Sequence, residues 1–279
     1  MNTHDPLSRR ALLATGLSTG FALAVQPITE AAITTDSAGL IAGATKFKAA
    51  DGVTISAYQA YPMSGAKLPV VVVVQEIFGV HEHIQDVCRR FAILGYFAIA
   101  PELFTRQGDV SKMPMDKIIG EVVSKVPDAQ VMRDLDATIA HAKASGIADT
   151  ARLAVTGFCW GGRITWLYAA YNPAVKAGGA WYGSLTKGRG AVAPTTAVSI
   201  APTLTVPVLG LYGAKDMGIP VADVEAMRAA LATGKSGSEI IVYKDSGHGF
   251  HADYRPSYNA ADAKDAFARL LAWFKDHGV

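Results

Sequence analysis

Apolar residues along the chain fall into two kinds of run. Val70–Gln75 is an almost unbroken run of valine, which predicts a central strand buried on both faces. In Ile84–Leu94 the apolar residues recur every three or four positions, which predicts an amphipathic helix, and Gly95 then ends it. Alternation between short buried runs and helical patterns is typical of a sheet covered by helices.

The same alternation continues to the C-terminus. The predicted strands are Lys46–Lys48, Thr54–Tyr61, Val70–Gln75, Tyr96–Ala100, Leu153–Thr156, Ala177–Tyr182, Val206–Tyr212 and Glu239–Tyr243. The predicted helices are Ile84–Leu94, Asp128–Ala144, Gly161–Tyr171, Val221–Ala232 and Asn259–Lys275, with an irregular or helical insertion over 108–127. We therefore predict one α/β domain over residues 45–279, with a mostly parallel central sheet and helices on both faces, preceded by a linker of small residues over 33–44.

Residues 1–32 do not fit this pattern. Arg9 and Arg10 precede an uncharged, mildly apolar run, and Ala22-Leu23-Ala24 is a small-x-small cleavage sequence. The adjacent arginines resemble a twin-arginine export signal. We expect export to a bacterial periplasm, with no stable membrane partner beyond the export step. A cytoplasmic or N-terminally anchored protein is the alternative.

Composition excludes several classes of partner. Half of the residues are apolar, which provides a large core, and the formal net charge is only +2. No cluster of Lys or Arg is longer than two residues, so we expect no nucleic acid. His81-Glu82-His83 holds the only closely spaced histidines, which is weak metal spacing, and we interpret it as a solvated segment at the mouth of the site. We therefore expect no metal and no other cofactor.

The sharpest local motif is Gly157-Phe158-Cys159-Trp160-Gly161-Gly162, directly after a predicted strand. It has the form G-x-nucleophile-x-G, in which a tight turn from strand to helix holds the central side chain above the sheet. At a helix N-terminus the dipole favours the thiolate form of Cys159. The backbone N–H of Trp160 is placed to stabilise an oxyanion. The alternative is a buried cysteine that happens to be flanked by glycines.

Two further side chains follow predicted strands later in the chain. Asp216 follows the strand that ends at Tyr212, and His248 follows the one that ends at Tyr243. The order nucleophile, acid, histidine is that of α/β-hydrolases. His248 can take the thiol proton and later activate water, while Asp216 fixes the imidazole tautomer. Each could instead be an ordinary turn or loop residue.

Four segments together form a more specific pattern. They are Val74-Gln75-Glu76-Ile77-Phe78-Gly79, Pro101-Glu102-Leu103-Phe104 with Arg106 after it, Gly157-Phe158-Cys159-Trp160-Gly161-Gly162, and His248-Gly249-Phe250. From about Lys46 to the C-terminus the chain resembles the dienelactone hydrolases, also called carboxymethylenebutenolidases. The resemblance implies an α/β-hydrolase fold and a cofactor-free hydrolase for a small lactone or ester, which in that family bears a carboxylate.

The resemblance also implies roles for individual residues. Glu76 matches a glutamate that lies beside the cysteine and helps to form the thiolate, and Ile77 would supply the second oxyanion N–H. Arg106 matches the first of two arginines that hold the substrate carboxylate. The second normally stands four residues after the histidine, where this chain has Ala252. Arg255 either replaces it or pairs with a surface neighbour. Tyr182 is a further candidate for the substrate pocket, with packing as its alternative role.

The leading hypothesis is therefore a hydrolase that works through a thioester at Cys159, as a monomer or a homodimer. One alternative is a thiol redox or sensing protein, which would need a resolving cysteine. Cys88 is the only other cysteine, and its place in an apolar helical pattern favours a buried core residue. Another alternative is a binding protein on an inactive hydrolase scaffold, although all three members of the triad are present.

Overall fold

A computed structural model describes residues 33–279, and the predicted export segment, residues 1–32, lies outside them and stays a prediction. The described residues form an eight-stranded sheet in the order β1-β2-β4-β3-β5-β6-β7-β8. The strands are β1 Leu40–Lys48, β2 Thr54–Pro62, β3 Leu68–Val74, β4 Phe97–Pro101, β5 Ala148–Phe158, β6 Ala177–Trp181, β7 Val208–Gly213 and β8 Glu239–Tyr243. From β4 to β8 in this order neighbouring strands are parallel, whereas β1 pairs antiparallel with β2 and β2 pairs antiparallel with β4. The predicted fold class is thus confirmed.

Seven α-helices accompany the sheet within residues 33–279. They are α1 Glu82–Ile93, α2 Met115–Lys117, α3 Asp128–Ala144, α4 Trp160–Tyr171, α5 Ala197–Ile200, α6 Val221–Leu231 and α7 Ala260–Asp276. The predicted insertion contains α2 and one short turn each of π- and 3-10 helix, over Ile118–Val122 and Val123–Lys125. A second short helical segment, α5 followed by a 3-10 turn over Ala201–Thr203, was not predicted.

Helices cover both faces of the sheet. The backbones of Gly178 and Gly179 in β6 face opposite sides, toward Thr165 of α4 and Leu270 of α7 respectively. Phe91 of α1 packs against rings of α7, at 5.2 Å from the ring of Phe267, which places α1 on the α7 face. All five valines of β3 are fully buried between the two layers, as the continuous apolar run predicts.

The sheet begins earlier than the sequence pattern predicts. Strand β1 starts at Leu40, so residues 40–44 of the predicted linker 33–44 belong to the sheet, and that boundary was wrong. The small residues of this segment have low intrinsic strand propensity, but they pair in register with β2, from Leu40 opposite Pro62 to Lys48 opposite Thr54. No helix between residues 33 and 279 is long and apolar enough to cross a membrane.

Candidate active site

Cys159 is the single residue between β5 and α4, and its backbone makes the turn. Its φ of 54° and ψ of −111° lie in a region that costs a non-glycine residue energy, typical of a functional elbow. A Cβ on Gly157 would lie 2.4 Å from the carbonyl oxygen of Gly161, and one on Gly161 would lie 2.4 Å from that of Val74. Only glycine permits this approach, so the motif presses α4 against the ends of β5 and β3 and presents Cys159 at the C-terminal edge of the sheet.

Asp216 and His248 form a hydrogen-bonded pair in the loops that follow β7 and β8. Asp216 Oδ2 lies 2.8 Å from His248 Nδ1, while Asp216 Oδ1 accepts hydrogen bonds from the backbone N–H groups of Gly218 and Ile219 at 2.8 and 3.0 Å. The side chain of Cys159 is also hydrogen-bonded to His248. Burial alone would lower the pKa of His248, but the charges of Cys159 and Asp216 outweigh it and raise that pKa to about 10.

Glu76, which follows β3, is completely buried and is held by three side chains. Arg255 Nη2 donates to its Oε1 at 3.1 Å, the hydroxyl of Tyr254 donates to its Oε2, and His81 Nε2 lies 3.3 Å from the same oxygen. Burial alone would raise the pKa of Glu76, but the charge of Arg255 and the hydrogen bond with His81 hold it well below its usual range. The carboxylate is therefore ionised at neutral pH and firmly oriented.

The register of the central strands brings Glu76 and Cys159 to the same edge. In β3 and β5, which are parallel neighbours, Val74 pairs with Gly157, so both chains leave the sheet at the same level. The charge of Cys159 also contributes to raising the pKa of Arg255, the partner of Glu76. The structure therefore brings Cys159, His248, Asp216, Glu76 and Arg255 together at one edge of the sheet. Arg255 is buried here and does not pair with a surface neighbour.

Tyr182 is a wall of this site. It follows β6 with a φ of 37°, is fully buried, and its ring centroid lies 5.2 Å from that of His248 in an edge-on arrangement. Burial raises the pKa of its phenol well above the usual value. Trp160, whose N–H is a predicted oxyanion donor, packs edge-on against Phe104 at 4.9 Å. The other predicted donor, Ile77, directly follows Glu76 and is buried.

Arg106 is not brought together with these residues. Its guanidinium donates to Asp51 in the β1–β2 turn, at 2.9 Å from both Nε and Nη2, and Nη1 lies 2.5 Å from Asp134 Oδ2 in α3. The two ion pairs raise the pKa of Arg106 above its usual value, although burial opposes this. The structure thus engages both edges of the guanidinium with protein carboxylates, which leaves a substrate clamp at Arg106 without structural support.

The segment His81–His83 is not the solvated loop that we expected. His83 is buried and its Nδ1 lies 3.0 Å from Asp253 Oδ1, whose carboxylate also accepts from Arg90 at 2.6 Å. His81 is largely buried because it reaches in to Glu76. Sequence reasoning also missed Tyr254, although its position beside Arg255 could have indicated it. Within residues 33–279, no three His, Cys, Asp or Glu side chains form a cluster that could hold a metal ion.

The family model of the dienelactone hydrolases matches residues 55–278 of the chain. The chain belongs to the dienelactone hydrolase family. A protein of Methylorubrum extorquens, provisionally named a carboxymethylenebutenolidase, is 60% identical over 98% of this chain and 94% of its own length. A protein of Escherichia coli K12 with the same provisional name is 50% identical, covering 95% of this chain and 98% of the relative.

A solved structure supports the same assignment. A provisionally named dienelactone hydrolase from Klebsiella pneumoniae is 52% identical and superimposes with a TM-score of 0.82, covering 85% of this chain and 98% of that one. This dienelactone hydrolase-type protein is therefore an enzyme of the carboxylic-ester hydrolases, with a small-molecule ester as its substrate. A thiol redox or sensing role is not favoured, and Cys88, the required second thiol, is a fully buried core residue, as predicted.

Proposed function

We propose that the enzyme cleaves a small ester or lactone through the triad Cys159, His248 and Asp216, with a thioester at Cys159 as intermediate. The observation that carries this proposal is the 2.8 Å hydrogen bond that His248 Nδ1 donates to Asp216 Oδ2, together with the contact between His248 and Cys159. Asp216 fixes the tautomer and balances the imidazolium charge. Cys159 stands at the N-terminus of α4, where the helix dipole favours a thiolate.

The reaction proceeds in two halves. The Cys159 thiolate attacks the substrate carbonyl, and the developing oxyanion accepts hydrogen bonds from the backbone N–H groups of Ile77 and Trp160. The C–O bond breaks and the leaving alkoxide takes a proton from the His248 imidazolium. His248, now neutral, removes a proton from water, and the resulting hydroxide attacks the thioester. The carboxylic acid is released, and the thiolate and imidazolium are restored.

Glu76 has a different part in this proposal. Because Arg255, Tyr254 and His81 occupy both of its oxygens, the carboxylate is a poor base in the resting enzyme. It acts as a base toward the thiol only if Arg255 moves away. As long as the pair is intact, Glu76 keeps the buried charge of Arg255 neutralised beside the nucleophile.

Trapping of the acyl-enzyme tests the proposal. Turnover of an activated aryl ester is stopped in acid, and the protein is digested and analysed by mass spectrometry. The acyl group is expected on the peptide that contains Cys159. Cys88 is an internal control, because burial raises the pKa of its thiol far above the usual range and it should stay unmodified.

Matched variants accompany this measurement. Cys159→Ala is expected to lower kcat by at least about 10³-fold, as in other enzymes that lose their nucleophile. Cys88→Ser should retain its activity if it folds, which is checked by circular dichroism. Full esterase activity in Cys159→Ala, or an acyl group on any other residue, would contradict the cysteine nucleophile.

A further inference from the structure

A cavity of about 380 Å³ lies beside the segment that follows β3. The residues that line it come from that segment, from Glu102 after β4, and from the insertion that precedes α3. The lining is mostly apolar: Phe78, Val80, Val110, Met113, Met115 and Ile118 all contribute to it. This volume is within the range of small-ligand pockets, at its lower end.

Two residues of the lining connect the cavity to the proposed catalytic residues. Phe78 directly follows Ile77, whose backbone N–H is one of the two proposed oxyanion donors. His81, also in the lining, contacts Glu76. Glu102 Oε2 accepts a hydrogen bond from the backbone N–H of Val80 at 2.9 Å and so fixes the turn between Phe78 and His81. A substrate whose carbonyl oxygen binds the N–H of Ile77 can therefore extend a substituent into this cavity.

The charged groups of the lining are acidic. Glu102 and Asp109 belong to it, and none of its described residues is a lysine or an arginine. Burial lowers the pKa of His81 below its usual range, despite the raising effect of Glu76, so this imidazole is neutral at neutral pH. Lys112, which adjoins the lining along the chain, is exposed and its charge acts on Asp109.

The arginines near the site have protein partners. Arg106 is bound by two carboxylates, and Arg255 donates to Glu76 and to the Tyr254 hydroxyl. Arg189 lies with its guanidinium carbon 5.5 Å from the ring centroid of Trp160, and its Nη1 donates to the backbone oxygen of Val123 at 2.7 Å. Its Nε and Nη2 have no hydrogen-bond partner among the described residues, but Arg189 does not line the cavity. Ala252 stands where an arginine would complete a carboxylate clamp, and it is fully buried.

From this charge distribution we propose that the enzyme selects uncharged esters or lactones whose apolar substituent enters the cavity, and that it disfavours substrates with a carboxylate there. The proposal deepens the proposed function and rests on it. An anionic group in the cavity would lose part of its hydration, meet the carboxyl groups of Glu102 and Asp109, and find no cation among the described lining residues. An alkyl group of the same size would bury its surface against Met113, Val110 and Ile118.

A pair of isosteric substrates tests the selectivity. In 4-nitrophenyl 5-methylhexanoate an isopropyl group replaces the carboxylate of mono-4-nitrophenyl glutarate, so the two acyl chains have equal numbers of heavy atoms. With the wild-type enzyme, kcat/KM is expected to be about 100-fold higher for the uncharged ester, because desolvation of an unpaired carboxylate is costly. A preference for the glutarate, or a difference below about threefold, would overturn the proposal, since one tenfold step requires only 1.4 kcal/mol.

Binding separates this proposal from the proposed function. Cys159→Ala, which lacks the nucleophile, is titrated calorimetrically with the anilides of 5-methylhexanoic acid and of glutaric acid. Tighter binding of the uncharged anilide supports the proposed selectivity for uncharged substrates. This holds even if the wild-type enzyme cleaves neither ester, a result that would contradict the proposed function alone. Equal or tighter binding of the glutaric anilide contradicts the selectivity, whatever the hydrolysis data show.

A designed reversal provides the matched variants. Met113 is only half-buried in the cavity wall, so Met113→Lys can place an ammonium group there while its aliphatic stem remains packed. We expect Met113→Lys to raise kcat/KM for the glutarate at least about tenfold relative to Met113→Gln, which changes polarity without adding charge. Equal values for the two variants would show that the charge of the cavity does not govern selection, and would contradict the proposal.

Discussion

Two buried acid–base groups flank Cys159, and they are held in opposite ways. On the β7–β8 side, the charges of Cys159 and of Asp216, which also orients His248, outweigh burial and raise the pKa of the imidazole to about 10. On the β3 side, Arg255 holds the pKa of Glu76 well below its usual range. Both groups are charged at neutral pH, but only His248 has a proton to give and a neighbour, Cys159, with which to exchange it.

This difference assigns different work to the two carboxylates. Asp216 keeps a proton carrier in the correct tautomer, so its effect should be on the rate of reaction. Glu76 neutralises a buried guanidinium, so its effect should be first on stability. This assignment would be contradicted if loss of Asp216 mainly lowered stability or if loss of Glu76 mainly lowered the rate.

The largest effect is expected from Asp216→Asn, which replaces the acceptor of the His248 Nδ1 hydrogen bond by an amide. The amide can keep the hydrogen bonds of Gly218 and Ile219 but favours the wrong tautomer of the imidazole. We expect kcat to fall by about 10⁴-fold, as in serine-protease triads. Steady-state kinetics on an uncharged aryl ester measures the loss.

The thermal stability of Asp216→Asn is the control for this measurement. The thermal midpoint of Asp216→Asn should stay near that of the wild type, because the loop hydrogen bonds are retained. A variant that keeps more than about a tenth of the wild-type kcat would break the comparison, because a triad that loses its acid is expected to lose far more.

The second effect concerns the buried ion pair. Glu76→Gln leaves the charge of Arg255 buried without its partner, and we expect a loss of about 3 kcal/mol in the free energy of unfolding. The double variant Glu76→Gln/Arg255→Met should recover most of this loss. Urea unfolding measures both, with Glu225→Gln as the control, because its pair with Arg228 is exposed and such pairs contribute about 0.5 kcal/mol.

The pH dependence of this pair has a definite sign. The pKa of Glu76 is lower in the folded than in the unfolded protein, so the pair stabilises the fold above pH 4.5, the ordinary value, and this contribution is lost as the pH falls below it. The difference in the free energy of unfolding between the wild type and the double variant should therefore become smaller at acidic pH. A double variant with wild-type stability but no activity would show that the Glu76–Arg255 pair also takes part in the reaction.

The sequence was most informative where a function depends on a local pattern. The glycines around Cys159 and the strand before them belong to one continuous segment, so the elbow could be predicted. Asp216 and His248 each follow a recognisable strand of a parallel sheet, whose C-terminal ends lie at one edge. That reasoning needs no knowledge of packing between distant segments.

The Glu76 side could be predicted only in part, because its contacts join distant parts of the chain. Arg255 and Glu76 are 179 positions apart, and Asp253 and His83 are 170 apart. Whether Arg255 turns inward depends on the loop after His248, whose backbone turns follow no strand or helix period. His83 was misassigned for the same reason, since a polar segment between strand and helix gives no indication of a buried partner.

The third effect concerns the charge of Cys159, which is tested through the pKa of its neighbour His248. If a Cys159 thiolate raises the pKa of His248, then Cys159→Ser, which is neutral, should lower that pKa by at least about one unit, equivalent to about 1.4 kcal/mol. An NMR titration of the His248 ring protons measures it, with His248→Gln for assignment. An unchanged pKa would show that Asp216 alone supports the imidazolium.

The pH dependence of the free energy of unfolding also tests whether Cys159 is a thiolate in the resting enzyme. The folded pKa of His248 is above its ordinary value of 6.5, so its contribution is fully present below pH 6.5 and is lost as the pH rises through about 10. If Cys159 is a resting thiolate, it loses on folding the proton that His248 gains, so the stability of the wild type should change little from pH 6.5 to about pH 8, whereas that of Cys159→Ser should fall. Parallel stability curves over that range would argue against a thiolate in the resting enzyme.

The smallest effect is expected at His81, the least buried of the groups that hold Glu76. His81→Leu removes one hydrogen bond while those from Arg255 and Tyr254 remain, and we expect a loss of about 1 kcal/mol in the free energy of unfolding with little change in kcat. His81→Gln, whose amide nitrogen can reach the same oxygen, is the matched control and should lie near wild type. Because burial keeps the pKa of His81 below its usual 6.5, the wild-type to His81→Leu ratio of kcat should be constant from about pH 7 to 9. A ratio that changes within this range would mean that His81 exchanges a proton during turnover, and Glu76 would then be linked to solvent through it rather than simply held in place.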